Sequence, residues 1–196
     1  MVPDAIDQPA GRLVIISGPS GAGKSTLLQR LMDTCPLPLD ISISATTRAP
    51  RPGETDGVSY HFLSPDEFQN RLAAGDFLEH KEVFGRGHWY GTLRSPVTTG
   101  LKQGKWVILE IDVAGAADVV AQITGAITVF VHPGSLAELE RRLRDRGTEP
   151  EDAIQSRLAQ AQRELAAADR YHHIVINDQL DRAVQELSAI LVRQGE

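Results

Sequence analysis

Apolar residues gather in short, nearly continuous runs. Leu13-Val14-Ile15-Ile16 is the first, and the stretches 106–111 and 127–131 repeat the pattern. Such runs, bounded by glycine or polar positions, predict strands buried on both faces, the habit of a parallel sheet. The pattern predicts strands over 12–17, 106–111, 127–131 and 171–176, with shorter ones over 41–45, 60–63 and 77–83. Between them the period turns helical. Leu27, Leu28 and Leu31 share one face of a helix over 25–32, which Pro36 and Pro38 end. Ser64-Pro65-Asp66-Glu67 is a capping box with proline at the first helical position, and Gly75 closes that helix. Ser95-Pro96 opens a helix that ends by Gly104, and another follows residue 111. Ser135-Leu136-Ala137-Glu138 caps a helix to about 146, Thr148-Glu149-Pro150-Glu151 one to about 168, and a last helix covers 180–193.

Strands alternating with helices imply an α/β fold, a parallel sheet covered by helices on both faces. The segments 44–95 and 133–168 break that rhythm and read as lobes inserted between core elements. Residues 46–59 hold two prolines, two glycines and two arginines, a long loop of the kind that carries function. Residues 1–10 read as a loose tail.

Composition narrows the class. With 196 residues the chain is one globular unit, and 20 Lys+Arg against 26 Asp+Glu leave a net charge of −6. That acidity argues against wrapping nucleic acid, and the longest apolar runs fall far short of the ~20 residues of a membrane span. One cysteine, Cys35, excludes an internal disulfide and a cysteine-based zinc site. The first ten residues lack the charge and apolar run of a signal peptide, so the expected compartment is cytoplasmic. The basic residues are 16 Arg and 4 Lys. Arginine is favoured where phosphates are gripped by paired hydrogen bonds, although GC-rich coding produces the same bias.

Gly18-Pro19-Ser20-Gly21-Ala22-Gly23-Lys24-Ser25 fits G-x-x-x-x-G-K-[ST] between an apolar strand and a helical pattern, the context of a P-loop. Its glycines let backbone N–H groups curl toward phosphate oxygens, and the helix start adds its positive dipole end. Lys24 can reach the β- and γ-phosphates, and Ser25 can ligate Mg²⁺. Asp112-Val113-Ala114-Gly115 fits the D-x-x-G of a GTPase, but no N-K-x-D accompanies it, and Asn177-Asp178 lacks the lysine.

The chain resembles the guanylate kinase family over about 11–193, on the stretches "ISGPSGAGKSTL", "SISATTRAPRPGETDGVSYHF", "FLEHKEVF", "WYGT", "ILEIDVAGA", "RLRDRGTEPEDAIQSRLAQAQREL" and "VIND". The resemblance implies a P-loop NTPase core (about 11–43, 96–132 and 169–193), a GMP-binding lobe (44–95) and a mobile lid (133–168). It implies ATP and GMP as partners, dGMP as a further acceptor, Mg²⁺ as cofactor, and a monomer or homo-oligomer with neither nucleic acid nor membrane bound. By the same resemblance residues 18–25, with Thr26, hold ATP, and Asn177 lies near its adenine. Arg48, Arg51, Tyr60 and Tyr90 grip the GMP phosphate. Glu79, Ser44 and Thr92 read the base: a carboxylate accepts from guanine N1–H and N2–H₂, and a hydroxyl donates to O6. Asp112 lies near the metal, through water, and the GMP base. Glu110 stands where many members have aspartate. Arg142, Arg146 and Arg157 join Lys24 and Arg48 as the catalytic set, while Arg141 and Arg144 read as a solvated face. Phe84-Gly85-Arg86-Gly87-His88-Trp89-Tyr90-Gly91-Thr92 runs two residues longer than the family's usual stretch, with Trp before Tyr.

The implied reaction is phosphoryl transfer from ATP to GMP in purine nucleotide metabolism, with closure of both lobes excluding water. The alternatives are a non-catalytic binding module of the same fold or a monophosphate kinase for another base.

Overall fold

The computed structural model describes residues 11–83, 87–145 and 150–195. Its contacts divide the chain into two compact units, each assembled from separate stretches.

One unit comprises Val14–Leu37, Glu110–Val113 and the chain from Ile127 onward. Strand β1 (Arg12–Ser17) is buried from Leu13 to Ser17, as its apolar run predicts. It pairs in parallel with β8 (Ile127–His132), Val14 beside Ile127 and Ser17 beside Phe130. Strand β9 (His173–Ile176) pairs in parallel with β8 in turn. Helix α1 (Lys24–Thr34) buries Leu27, Leu28 and Leu31, the predicted face, and packs on α7 (Leu180–Gly195). Cys35 caps the end of α1 as a half-buried free thiol. Helices α5 (Leu136–Asp145) and α6 (Glu151–Leu165) bury Leu139, Leu143, Ile154, Leu158 and Ala161 against each other. Each such leucine contributes roughly 1.5–3 kcal/mol, so this pair carries a small core of its own. The Ser135 hydroxyl accepts the Glu138 N–H, as the capping box predicts, whereas Thr148 lies outside the described residues. Helix α6 stops at Leu165 rather than 168. The Ala167 N–H bonds back only three residues to the Glu164 carbonyl, and the chain tightens into a 3₁₀ turn over Ala168–Arg170.

The other unit comprises the described residues through Leu13, Pro38–Leu109 and Ala114–Ala126. Strand β2 (Leu39–Ile41) pairs in parallel with β7 (Trp106–Glu110), most of which lies here. A second sheet has the order β4-β3-β6-β5, from β3 (Ala45–Thr46), β4 (His61–Phe62), β5 (Phe77–Val83) and β6 (His88–Leu93). The strand expected over 41–45 is thus two. The Ser42 N–H makes a last bond to the Ile108 carbonyl, and Ala45 then pairs with Gly91 in the other sheet. Helix α2 (Pro65–Ala73) starts where its capping box predicts, with the Ser64 hydroxyl accepting the Glu67 N–H. Its Phe68 joins Ala45, Phe77 and Leu93 in the core of this sheet. Helices α3 (Arg94–Lys102) and α4 (Val113–Gln122, all but its first residue) complete the unit.

The architecture is the predicted mixed α/β one, its parallel strands flanked by helices. Strand β6 is the element the sequence pattern did not predict, because Gly87 and Gly91 read as breakers. Gly91 is instead required: a Cβ there would lie 2.8 Å from both the Glu79 carbonyl oxygen and the Phe77 ring. Among the described residues no helix is long and apolar enough to cross a membrane.

Candidate active site

The first cluster stands where β1 gives way to α1. Gly18 turns the chain with φ 143°, and a Cβ there would meet the Val131 carbonyl oxygen at 2.3 Å. Gly23 has φ 85°, and its Cβ would meet the Asn177 amide nitrogen at 2.5 Å. Only glycine fits either place. Helix α1 begins at Lys24 with neither a side-chain cap nor an acidic residue in its first turn. Its first N–H groups therefore point at whatever anion occupies the loop.

The Lys24 ammonium is held over the loop, donating to the Gly18 carbonyl at 2.6 Å and the Pro19 carbonyl at 3.1 Å. Burial pushes it below its ordinary value, and the carboxylates of Glu110, Glu164 and Asp112 pull the other way. The Ser25 hydroxyl donates to the Glu110 carboxylate at 2.8 Å. Glu110, whose role the sequence left open, thus stands beside the serine expected to hold a metal. Asp112 follows on this same unit, its carbonyl 3.5 Å from the Ser17 hydroxyl. Thr26 is exposed on the first turn of α1.

Arginines of α5 and α6 reach this loop. Arg157 donates to the Ser20 hydroxyl at 2.9 Å. Arg142 donates to the Asn177 carbonyl at 2.7 Å and the Ala22 carbonyl at 3.5 Å, with its Nε on Glu138 at 2.8 Å. Asn177 is 5% exposed, and its side-chain amide donates to the Ala22 carbonyl at 2.8 Å. In this structure it braces the loop. Arg141 and Arg144 pair with Glu138, Asp145, Glu140 and Glu151, the solvated face the sequence implied. Arg146 lies outside the described residues.

Glu138, missed in the sequence, has a checkable pH signature. Hydrogen bonds from Arg141 and then Arg142 hold its carboxyl at about 2, against an ordinary 4.5. A folded-state value below the unfolded one gives stability that is complete above about 4.5 and lost as the pH falls toward 2. Melting curves of Glu138→Gln and the parent should therefore differ at pH 6 and converge near pH 2. A gap that stays constant over that range would acquit the carboxylate.

The second cluster sits on the β3–β6 face and the loop after β3. Arg48 donates to the Tyr90 hydroxyl at 3.1 Å, to the Ala49 carbonyl at 2.6 Å and to the Glu54 carboxylate at 2.8 Å. Its guanidinium stacks 5.5 Å over the Tyr60 ring, which meets the Tyr90 ring edge-on at 5.8 Å. Three of the expected phosphate-binding side chains are thereby gathered. Glu54 organises the loop, since its other oxygen accepts the Arg51 N–H at 2.7 Å, while the Arg51 side chain stays exposed. The hydrogen bond from Arg48 also holds the Glu54 carboxyl below its usual range. Thr46 and Thr47 clip the loop to β6. The Thr46 hydroxyl donates to the Trp89 carbonyl at 3.0 Å, and the Thr47 hydroxyl accepts the Trp89 N–H at 2.9 Å. A pair of hydroxyls just before the first arginine was the available signal for this clip.

Glu79 is 9% exposed, and the Thr92 hydroxyl donates to it at 2.6 Å. Thr92 was expected to donate to guanine O6. In this structure its hydroxyl donates to the carboxylate. Ser44 is half-buried, and its carbonyl accepts the His61 N–H at 2.9 Å. Of the lengthened loop, Phe84, Gly85 and Arg86 lie outside the described residues. Trp89 packs toward Phe68 and His80, and the neighbouring Tyr90 hydroxyl accepts from Arg48.

Comparison with known proteins shows the family. Residues 10–194 match the family model described as guanylate kinase. A guanylate kinase of Rhodopirellula baltica is 56% identical over 185 residues, which cover 94% of this chain and 88% of that protein. One from Synechococcus elongatus is 50% identical over 181 residues, covering 92% and 97%. The crystal structure of guanylate kinase from Anaplasma phagocytophilum is similar with a TM-score of 0.77 at 28% identity, covering 95% of this chain and 87% of that one.

Proposed function

The chain belongs to the guanylate kinase family and transfers the γ-phosphoryl group of ATP to GMP, and on that premise we propose how its residues share the work. The reaction is ATP + GMP → ADP + GDP. A GMP phosphate oxygen forms the new bond to phosphorus in line with the breaking bond to ADP. A phosphate monoester, with a second pKa of about 6, is already largely dianionic at neutral pH, so no strong base is required. What the protein supplies is position and positive charge.

Residues 18–26 hold the ATP phosphates, with Lys24 toward the β- and γ-phosphates. Arg142, Arg146 and Arg157 neutralise charge on the transferring group, and the support is that Arg142 and Arg157 already reach the loop. Asn177 shapes the loop beneath the nucleotide. A hard divalent cation, Mg²⁺ by preference, fits the oxygen donors at the start of α1: the Ser25 hydroxyl, backed by Glu110, and Asp112 through water. When bound, it screens the β- and γ-oxygens.

Arg48, Arg51, Tyr60 and Tyr90 take the GMP phosphate. Glu79 accepts from guanine N1–H and N2–H₂, Thr92 orients Glu79, and Ser44 donates to O6. This makes 44–95 the GMP-binding lobe, 133–168 the lid, and 11–43, 96–132 and 169–193 the core. The reaction belongs in the cytoplasm, where the ATP pool supplies it, and its partners are the two nucleotides.

The observation that carries this reading is the buried Glu79–Thr92 pair in the same unit as the Arg48–Tyr60–Tyr90 grip. Adenine would present an unprotonated N1 to that carboxylate. An ADP-release assay should show GMP and dGMP consumed, with AMP, CMP and UMP at least ~100-fold poorer in kcat/KM. AMP used as well as GMP would refute the base assignment.

A further inference from the structure

Strands β5 and β6 fall out of step at one place. Phe77 pairs with Leu93, yet Glu79 pairs with Thr92, so Leu78 is an extra residue, a β-bulge. In a regular strand Phe77 and Glu79 would share a face. Here they do not. Phe77 stacks on Phe68 with centroids 4.4 Å apart, inside the apolar cluster. Glu79 bonds Thr92, on the face that also carries Tyr90. The bulge reconciles an apolar anchor with a buried carboxylate two residues later.

Two side chains from outside the hairpin hold the bulge. Arg94 Nη2 donates to the Phe77 carbonyl at 3.1 Å, and Gln122 Nε2 donates to the Leu78 carbonyl at 2.6 Å. They are tied together, since Arg94 Nη2 also donates to Gln122 Oε1 at 2.9 Å. Gln122 is the last residue of α4, and its amide also donates to the Asp118 carbonyl at 3.0 Å. Gly91 leaves the hairpin no slack, because the Phe77 ring and Glu79 carbonyl fill the space beside it.

We propose that Gln122, with Arg94, is a positioning residue for base recognition: the pair locks the bulge that turns Glu79 toward the guanine. It sets the preference for a 2-amino purine without touching the nucleotide. This rests on the reading of Glu79 given above.

IMP is GMP without the 2-amino group, so the ratio of kcat/KM for GMP over IMP reads the contact from N2 to Glu79. Gln122→Met keeps the length of the side chain and removes its donor and acceptor. Gln122 is exposed, so the variant is expected to fold, and a melting temperature close to the parent's checks this. Losing a hydrogen bond that acts only on Glu79 should lower the GMP/IMP ratio about fivefold, with kcat for GMP and KM for ATP within about twofold of the parent. Gln122→Glu, which keeps the acceptor for Arg94 and loses the donor to Leu78, should move the ratio the same way. Added to Glu79→Gln, Gln122→Met should change the ratio no further, because the two act through one contact. An unchanged ratio in Gln122→Met, with Glu79→Gln itself collapsing it, would overturn the inference and leave the Glu79 reading standing. If Glu79→Gln leaves the ratio intact, that reading fails and the inference falls with it.

Discussion

Replacing Lys24 by Ala should lower kcat for GMP phosphorylation by about 10²–10³, the usual consequence of removing one preorganised charge from a transition state. The half-buried ammonium stands at the head of α1, and two loop carbonyls hold it in place. The γ-phosphoryl group gains its extra charge separation only during transfer, so the loss falls on kcat more than on KM. The fold should survive, because among the described residues the side chain hydrogen-bonds only to its own loop, and alanine suits a helix start. A variant with normal melting and a kcat within a few-fold of the parent would remove Lys24 from the chemistry.

Replacing Glu79 by Gln should reduce kcat/KM for GMP by about 10² or more while leaving KM for ATP unmoved. The glutamine amide would keep one acceptor oxygen but set its NH₂ donor against one of guanine's N1–H and N2–H₂ donors. Glu79 is buried, so solvent does little to soften a mismatch there. Glu79→Leu should cost at least as much, since it also strands the Thr92 hydroxyl that now donates to the carboxylate. Steady-state kinetics with each substrate varied in turn separates the two effects. Equal losses toward ATP and GMP would mean that Glu79 supports the fold rather than the base.

The loop of glycines between β1 and α1 was fully legible, because each physical demand on it, a left-handed turn, a close backbone and a cation, selects one residue type. The buried parallel strands were legible for a similar reason: burial on both faces leaves an unbroken apolar run. Strand β6 was not. Its Gly91 reads as a breaker until the Phe77 ring that presses on it is known, and that ring comes from a partner fourteen positions away in sequence. The bulge at Leu78 escaped for the same reason, since register is a property of two strands and not of one. Among site residues, the arginines and tyrosines were named through family likeness. The acids that hold them, Glu54 and Glu138, were not, because a surface carboxylate near an arginine is common in any sequence. The bond from Ser25 to Glu110 likewise appears only once a strand end and a helix start are brought together.

Selectivity for GMP requires one arrangement, a guanine read by a buried carboxylate while its phosphate is held by Arg48 and two tyrosines. A crystal structure with GMP bound tests it most directly. It should show the Glu79 oxygens accepting from N1–H and N2–H₂, with the phosphate on Arg48, Arg51, Tyr60 and Tyr90. A guanine seated away from Glu79, or a phosphate held elsewhere, would contradict it.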